Sequence, residues 1–458
     1  MLNKQDILDF VSDNDLGRSE SSQLFSFSQP IDENEYFILT KKMLSTNDFS
    51  FYWSSPSENH SFLAHGEVYS IYKNEFTDLS NLDEQLKNLP FRIISNNRNI
   101  VGTTDPLFVG GIKFPSAKNE EIWNDFQFAR WSIPQILLLK NGNDFKIIIN
   151  TFKNSIDRVF SIIEQSDDLI PGTEERQIKV LSNKPNVEIN EWSDCVELAL
   201  EKISHKKLQK VVLSRFNKIE LSAAPNILQQ LQKLEISFDN CITFAYKSKD
   251  SIFFGATPEK LFSVRDGFIE ADALAGSIPR GIDDAEDKAF KKNLLDDEKN
   301  LAEHKSVVDF ILHQLTPVTE KILFDSQPSI KKYSNIQHLY SQIRAKLKND
   351  VSFFSLLERL YPTPAVCGFP SGEALDAINE LESFDRGLFT GAIGWFNLHG
   401  NAEFSVGIRS ALLRENLLQA YAGCGIVNGS DSFSEFTETE LKLKPILNLF
   451  ADETVYKS

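Results

Sequence analysis

The sequence predicts an α+β fold, a large antiparallel sheet with helices over its faces. Three observations predict it. Short runs with strand-like apolar patterning recur along the chain, separated by tight turns. Two of them flank Asp266-Gly267, a strong hairpin signal. Long stretches with helical apolar spacing are few and lie between groups of strands. The strands therefore pair with neighbours, and the helices are left to cover the sheet.

Over the first 150 residues, "SFYWSS" (50–55), "EVYSIYK" (67–73), "LFVGGIKF" (107–114) and "FKIIIN" (145–150) read as strands. Residues 152–192 are polar, contain two prolines and read as a linker or surface excursion. A helix is predicted from Asp194, its N-cap, with Val196, Leu200 and Ile203 on one face. The strand "KVVLSRFNKIEL" (210–221) leads into a meander of "CITFAYK" (241–247), "SIFFGAT" (251–257), "KLFSVRDG" (260–267) and "FIEADALAG" (268–276). One long helical pattern covers 284–315. Three strands follow, "LFTGAIGWF" (388–396), "AEFSVGIRSALL" (402–413) and "LLQAYAGCGIV" (417–427), then a last helix over 434–447.

At 458 residues, with 41% hydrophobic and 25% charged side chains, the chain has an ordinary globular composition. Its formal charge of −17 argues against a nucleic-acid partner or an anionic membrane surface, although local basic residues can still bind a small anion. Cys195, Cys241, Cys367 and Cys424 form no CxxC pair, so neither a zinc site nor a disulfide framework is expected, and a reducing cytoplasm fits. The opening "MLNKQDILDFVSDND" predicts no signal peptide, and "IPQILLL" (133–139) is too short to span a bilayer. Gly423, Gly425 and Gly429 miss the GxGxxG spacing, and "GFPSG" around Ser371 is no nucleophile elbow. His60 and His65 read as surface histidines.

Two acidic clusters stand out. On the last helix Glu435, Glu438 and Lys442 share one face, and Glu440 points roughly the opposite way. A surface pair between Glu438 and Lys442 accounts for that spacing. On the long helix Glu303 shares a face with Val307 and Phe310, as a boundary residue paired with Lys299 or Lys305. Two carboxylates from two helices also suit a hard cation such as Mg²⁺, which takes few oxygens from protein and leaves places for water and an anion.

The surrounding segments are specific. "KVVLSR" (210–215), "FFGATPEKLF" (253–262), "ALAGSIPRG" (273–281), "EKNLAEHKSVVD" (298–309), "IQHLYSQIRA" (336–345), "YPTPAVCGFP" (361–370), "FDRGLFTGAIGW" (384–395), "EFSVGIRSAL" (403–412) and "YAGCGIVNGSDSFSEFTETELKLKPIL" (421–447) occur in that order. Together they resemble the chorismate-utilising enzyme family, which includes anthranilate, aminodeoxychorismate, isochorismate and salicylate synthases. The resemblance is dense over about 195–450 and loose before it. It implies one large chorismate-binding fold, two antiparallel sheets stacked face to face with helices outside. Residues 1–190 would complete the fold, and 191–452 would form the catalytic region.

The resemblance also implies roles. Glu303 and Glu438 would hold Mg²⁺ against the ring carboxylate of chorismate, with Glu435 as a further or water-mediated ligand and Glu440 left as solvated surface. Arg409, Lys442 and the N–H groups at Gly423 and Gly425 would bind the second carboxylate, and Gly276, Ser277 and His338 would line the substrate. Lys210 would be the base that activates water, its pKa lowered by burial and nearby cations. Glu259 would be the acid, kept protonated beside Phe253, Phe254 and Leu261. Lys210 matches the water-using branches, where the anthranilate branch has glutamine. Ala275 replaces the nucleophilic lysine of aminodeoxychorismate synthase. The implied activity is isochorismate synthase, in menaquinone or siderophore biosynthesis, acting as a monomer or weak dimer with no glutaminase subunit. Salicylate synthase and a non-catalytic chorismate-binding relative are the alternatives. Thr257, Asn300, Cys367 and Cys424 depart from the family pattern, and Cys424 is expected to narrow the pocket.

Overall fold

The structure, a computed structural model, describes residues 3–15, 22–75, 79–96, 106–165, 178–206, 208–333 and 336–450. Among these residues 21 strands join through continuous hydrogen bonding. Every pairing is antiparallel except that of Ser22–Pro30 with Phe91–Ser95. The α+β expectation holds; where two stacked sheets were expected, the described strands form a single hydrogen-bonded sheet. Ser50–Ser55 pairs with Ile242–Ser248, and Leu107–Ile112 pairs with Ala392–Asn397, so early and late parts of the chain share the sheet. Strands Ser50–Ser55, Leu107–Ile112, Ala392–Asn397 and Ala402–Val406 are buried at every position, which means that both of their faces are covered.

Several boundaries differ from the sequence reading, each for a local reason. The 152–192 segment is no simple linker. It contains the helix Ile156–Gln165, whose Ile156, Val159 and Phe160 are buried, and the strand Val180–Pro185, paired with Lys210–Leu221; residues 166–177 lie outside the described residues. The next helix begins at Ile189, because the Glu191 carboxylate accepts the Glu188 N–H at 3.2 Å; Asp194 is already inside it. Trp192, Val196, Ala199 and Ile203 form its buried stripe. The long helical pattern is two helices, Asp284–Asp296 and Glu298–Leu315. Asp297 interrupts them and caps the second through the Asn300 N–H at 2.7 Å. The run 402–413 is two strands, Ala402–Val406 and Ser410–Arg414, separated at Arg409, whose φ of 51° lies in the left-handed region. His60 and His65 are buried, not surface, and burial pulls both down to about 4, so they are neutral near pH 7.

One buried ion pair gathers the segments that meet at the strand Lys210–Leu221. Arg386 is 1% exposed and Glu382 7%. Arg386 donates to both oxygens of Glu382, to Val366 O at 2.9 Å and to Val212 O at 2.7 Å. Glu382 also accepts the Ser214 N–H at 2.7 Å. Removing one partner of such a pair leaves a buried charge alone and costs about 3–5 kcal/mol. Arg386→Met should therefore lose about that much unfolding free energy in a denaturant titration. A loss below about 1 kcal/mol would show that the pair does not organise this region.

Candidate active site

A cavity of about 360 Å³ opens where the strands Lys210–Leu221, Phe268–Pro279, Ile336–Leu347 and Leu417–Val427 meet the helices Glu298–Leu315 and Ser432–Leu447. All twelve site residues expected from the sequence line it: Lys210, Glu259, Gly276, Ser277, Glu303, His338, Arg409, Gly423, Gly425, Glu435, Glu438 and Lys442.

Strand periodicity sets one wall. Lys210, Val212 and Ser214 share a face, while Val211 and Leu213 join the apolar cluster under the helix Ile189–Ser204. On the neighbouring strand Gly423 and Gly425 oppose Ser214 and Val212. The N–H groups of Ser214 and Val212 go to Glu382 and to Cys367 O, so these are non-hydrogen-bonded pairs. The backbone groups of Gly423 and Gly425 therefore point the other way, beyond the end of the Ser410–Arg414 pairing. Gly425 also makes room: a Cβ there would lie 2.6 Å from Lys210 Cε. Cys424 alternates to the opposite face and is buried in the same apolar cluster as Val211, so it does not narrow the cavity.

A bulge sets the opposite wall. The register of Phe268–Pro279 slips between Ala275 and Ser277, and Gly276 takes a φ of 76° that favours glycine. Asn300 fastens the bulge by accepting the Ser277 N–H at 3.2 Å. Ser277 Oγ meets His338 Nδ1 at 2.6 Å, and among the described residues the buried His338 Nε2 has no hydrogen-bond partner. Burial first, then the charges of Arg409 and Lys442, pull His338 down to about 3, so it is a neutral hydrogen-bonding group. His304 holds the Glu303 helix to the same wall through Ser341 Oγ at 2.9 Å.

Arg409 is placed by its left-handed backbone. Among the described residues its guanidinium has no hydrogen-bond or ion-pair partner, and Arg409 lines the cavity. A guanidinium taken from bulk water without an acceptor is costly, and a carboxylate supplies what it lacks.

Glu259 follows Pro258 in the turn after Ser251–Thr257 and is 9% exposed. Burial pushes it up to about 7, against the Thr363 hydrogen bond and the charges of Lys210, Lys442 and Arg409. Thr257 keeps a hydroxyl that accepts the Glu259 N–H at 3.3 Å. Of the expected apolar neighbours only Leu261 lines a void together with Glu259; Phe253 and Phe254 belong to other clusters.

Lys210 Nζ donates to Glu303 Oε1 at 2.7 Å, so its direct charged contact is an anion rather than the cationic surroundings expected. Burial alone would raise Glu303, but the charge and hydrogen bond of Lys210, with Lys442 and Lys299, hold it below the ordinary range. Lys442 pairs with Glu438 at 2.6 Å and donates to Gly423 O at 2.9 Å. Burial pushes Glu435 up, the Ser430 hydrogen bond opposes this, and the Glu438 charge adds to it. Lys299, set aside as a surface partner of Glu303, lines the cavity; its place one turn before Glu303 was the available signal. Glu440 is exposed, as expected, but its carboxylate also pairs with the fully buried Arg215.

Glu303, Glu435 and Glu438 offer only carboxylate oxygens; Glu435 is raised by burial first and also by the Glu438 charge, and a hard cation would relieve that repulsion. These residues fit Mg²⁺. Among the described residues the three side chains whose ligand atoms all lie within 4.8 Å of one another are Glu58, His60 and Glu403. There Arg265 Nη2 sits 2.9 and 3.6 Å from the two carboxylates, as Lys210 and Lys442 sit 2.7 and 2.6 Å from Glu303 and Glu438 in the cavity. Glu303, Glu435 and Glu438 do not all come within that distance of one another, so an ion held by them would need water or substrate to complete it.

The profile of the family described as chorismate binding enzyme matches residues 10–451. The chain is 28% identical over 444 residues to isochorismate synthase MenF of Bacillus subtilis, covering 94% of each chain. It is 29% identical to the salicylate biosynthesis isochorismate synthase of Pseudomonas aeruginosa, over 86% of this chain and 83% of that one. Its fold resembles that of MenF, the menaquinone-specific isochorismate synthase from Escherichia coli, with a TM-score of 0.80, 23% identity and 98% and 99% of the two chains covered.

The raised Glu259 has a measurable consequence. Its carboxyl binds a proton in the folded chain up to about pH 7, whereas in the unfolded chain it releases it near the ordinary glutamate value. Between roughly pH 4.3 and the folded value the folded state holds the extra proton, so this group costs stability as pH rises. The unfolding free energy of Glu259→Gln minus that of the parent should therefore climb over this window by about 4 kcal/mol, then level off. A pH-independent difference would mean that Glu259 ionises in the folded chain as it does in water.

Proposed function

The chain belongs to the chorismate-binding enzyme family, and on that premise we propose that it is an isochorismate synthase, an isomerase that adds a water-derived hydroxyl at C2 of chorismate as the C4 hydroxyl is lost. Arg409 carries the reading: a guanidinium with no hydrogen-bond or ion-pair partner among the described residues, in a cavity that also holds Lys210 and Glu259. Chorismate is a dianion, and an acidic protein binds it only where local donors outweigh the net charge.

In this reading Arg409, with the outward N–H groups of Gly423 and Gly425, takes the enolpyruvyl carboxylate. Neutral His338 offers Nε2, held in orientation by Ser277. Glu303 and Glu438, with Glu435, would hold Mg²⁺, which when bound would supply positive charge for the ring carboxylate. Lys210, as the free amine released from its pairing with Glu303, takes a proton from water as the water oxygen bonds to C2. The two ring double bonds each shift one position, and the C4–O bond breaks. Glu259 gives its proton to the departing hydroxyl, which leaves as water. One water enters and one departs, so the net change is an isomerisation and is reversible. Burial that keeps Glu259 protonated to about pH 7 supports its part as the acid.

The pathway we favour is menaquinone biosynthesis, on the likeness to MenF over 94% of both chains. We further take the enzyme to be cytoplasmic and to work without a glutaminase, as a monomer or weak dimer; among the described residues no helix is long and apolar enough to cross a membrane.

Purified chain with chorismate and Mg²⁺ should form isochorismate, also run in reverse, and stop on chelation. Glu259→Gln should lower kcat about 10²–10⁴-fold with little change in KM. The parent rate should fall as pH rises through the Glu259 value of about 7. Pyruvate release would move the assignment to salicylate synthase, amination by added ammonium to the ammonia-using branches, and binding without turnover to a non-catalytic relative.

A further inference from the structure

The presentation of Glu435 and Glu438 depends on how the helix Ser432–Leu447 is turned about its own axis. Successive helical residues project about 100° apart, so a grip on two consecutive residues fixes the direction of the one before them. Thr439 and Glu440 are gripped by a single guanidinium. Arg215, fully buried on the strand Lys210–Leu221, donates from Nε to Thr439 Oγ1 at 2.7 Å and from Nη2 to Glu440 Oε1. Its Nη1 donates to Asn217 Oδ1 at 3.0 Å, which ties the fork back to its own strand. Its guanidinium carbon lies 4.1 Å from the centre of the Phe436 ring, one turn earlier on the helix. Thr439 is itself fully buried, so the grip is sheltered from water.

The strand connects this grip to the cavity. Lys210 and Arg215 are an odd number of residues apart and project from opposite faces. The strand that carries Lys210 into the cavity thus holds, on its other side, the helix that carries Glu438. Glu438 directly precedes the gripped pair, and Glu435 lies one turn earlier on the same face. Turning the helix by one residue would bring Thr439 to the cavity in place of Glu438.

We propose that Arg215, acting through Thr439 and Glu440, is the positioning residue that aims Glu438 and Glu435 into the cavity and thereby sets the affinity for a divalent cation. The proposal rests on the reading that these carboxylates hold one. Lysine cannot replace arginine here, because a single ammonium cannot span the three acceptors and stack on the ring.

Mn²⁺ titration of the full chain without chorismate, followed by the electron paramagnetic resonance signal of free Mn²⁺, tests the proposal apart from activity. Groups that orient metal ligands typically contribute about 10–100-fold in affinity. Arg215→Lys and Glu440→Gln should each raise the Mn²⁺ Kd by about that factor. Lys305→Gln, at an exposed residue paired with Asp309, should leave it unchanged. If Arg215→Lys fails to fold, Glu440→Gln carries the test, since that side chain is 44% exposed. Parent-like Mn²⁺ affinity in a folded Glu440→Gln, even with a lowered melting temperature, would overturn the positioning role and leave the metal reading standing. No Mn²⁺ binding by the parent would overturn both.

Discussion

The cavity stands on a charge buried beneath it. Arg386 and Glu382 sit under the strand Lys210–Leu221, and between them they bind its backbone at Val212 and Ser214 and that of the 361–370 segment at Val366. Val212 and Val366 both line the cavity, as does Thr390, whose hydroxyl accepts from Arg386 at 3.4 Å. An apolar residue in place of Arg386 could fill the space, but it could not bond carbonyls of two separate segments at once. A planar fork with five donors can, and Phe114 covers its face at 4.5 Å. The same strand uses Arg215 on its outer side to hold the last helix. Lys210 is thus presented from a strand whose two neighbourhoods are each fixed by a buried arginine.

Charge in the cavity is a local matter. Lys210, Lys299, Arg409 and Lys442 face Glu259, Glu303, Glu435 and Glu438 across it. Burial keeps Glu259 protonated to about pH 7 and raises Glu435, so near neutral pH the cations are opposed by fewer than four full negative charges. A chain of net charge −17 can bind a dianion because this balance, not the total, acts at short range. His338 takes part as a neutral group, since burial and two nearby cations deny it a proton.

Much of this was legible in the sequence. Hairpin spacing gave the antiparallel sheet, and ordered segments gathered twelve residues that the fold brings to one cavity. What was not legible depends on contacts between distant segments. Periodicity reads 284–315 as one helix because Asp297 breaks it without disturbing the apolar pattern. The left-handed turn at Arg409 is invisible in a run that alternates like a strand. Glu440 looked solvated because helix geometry turns it away from Glu438. Only the tertiary structure puts Arg215 in its path. Likewise nothing local marks Glu303 as the partner of Lys210, which lies 93 residues away.

The central claim is that water, activated from the Lys210 side, attacks C2 while the C4 hydroxyl leaves. Isotope labelling tests it most directly. Turnover of chorismate with Mg²⁺ in oxygen-18 water, stopped early and analysed by mass spectrometry with fragment assignment, should place one heavy oxygen at C2 of isochorismate. Isochorismate formed without the label would mean that the hydroxyl migrates within the ring, and would contradict the account.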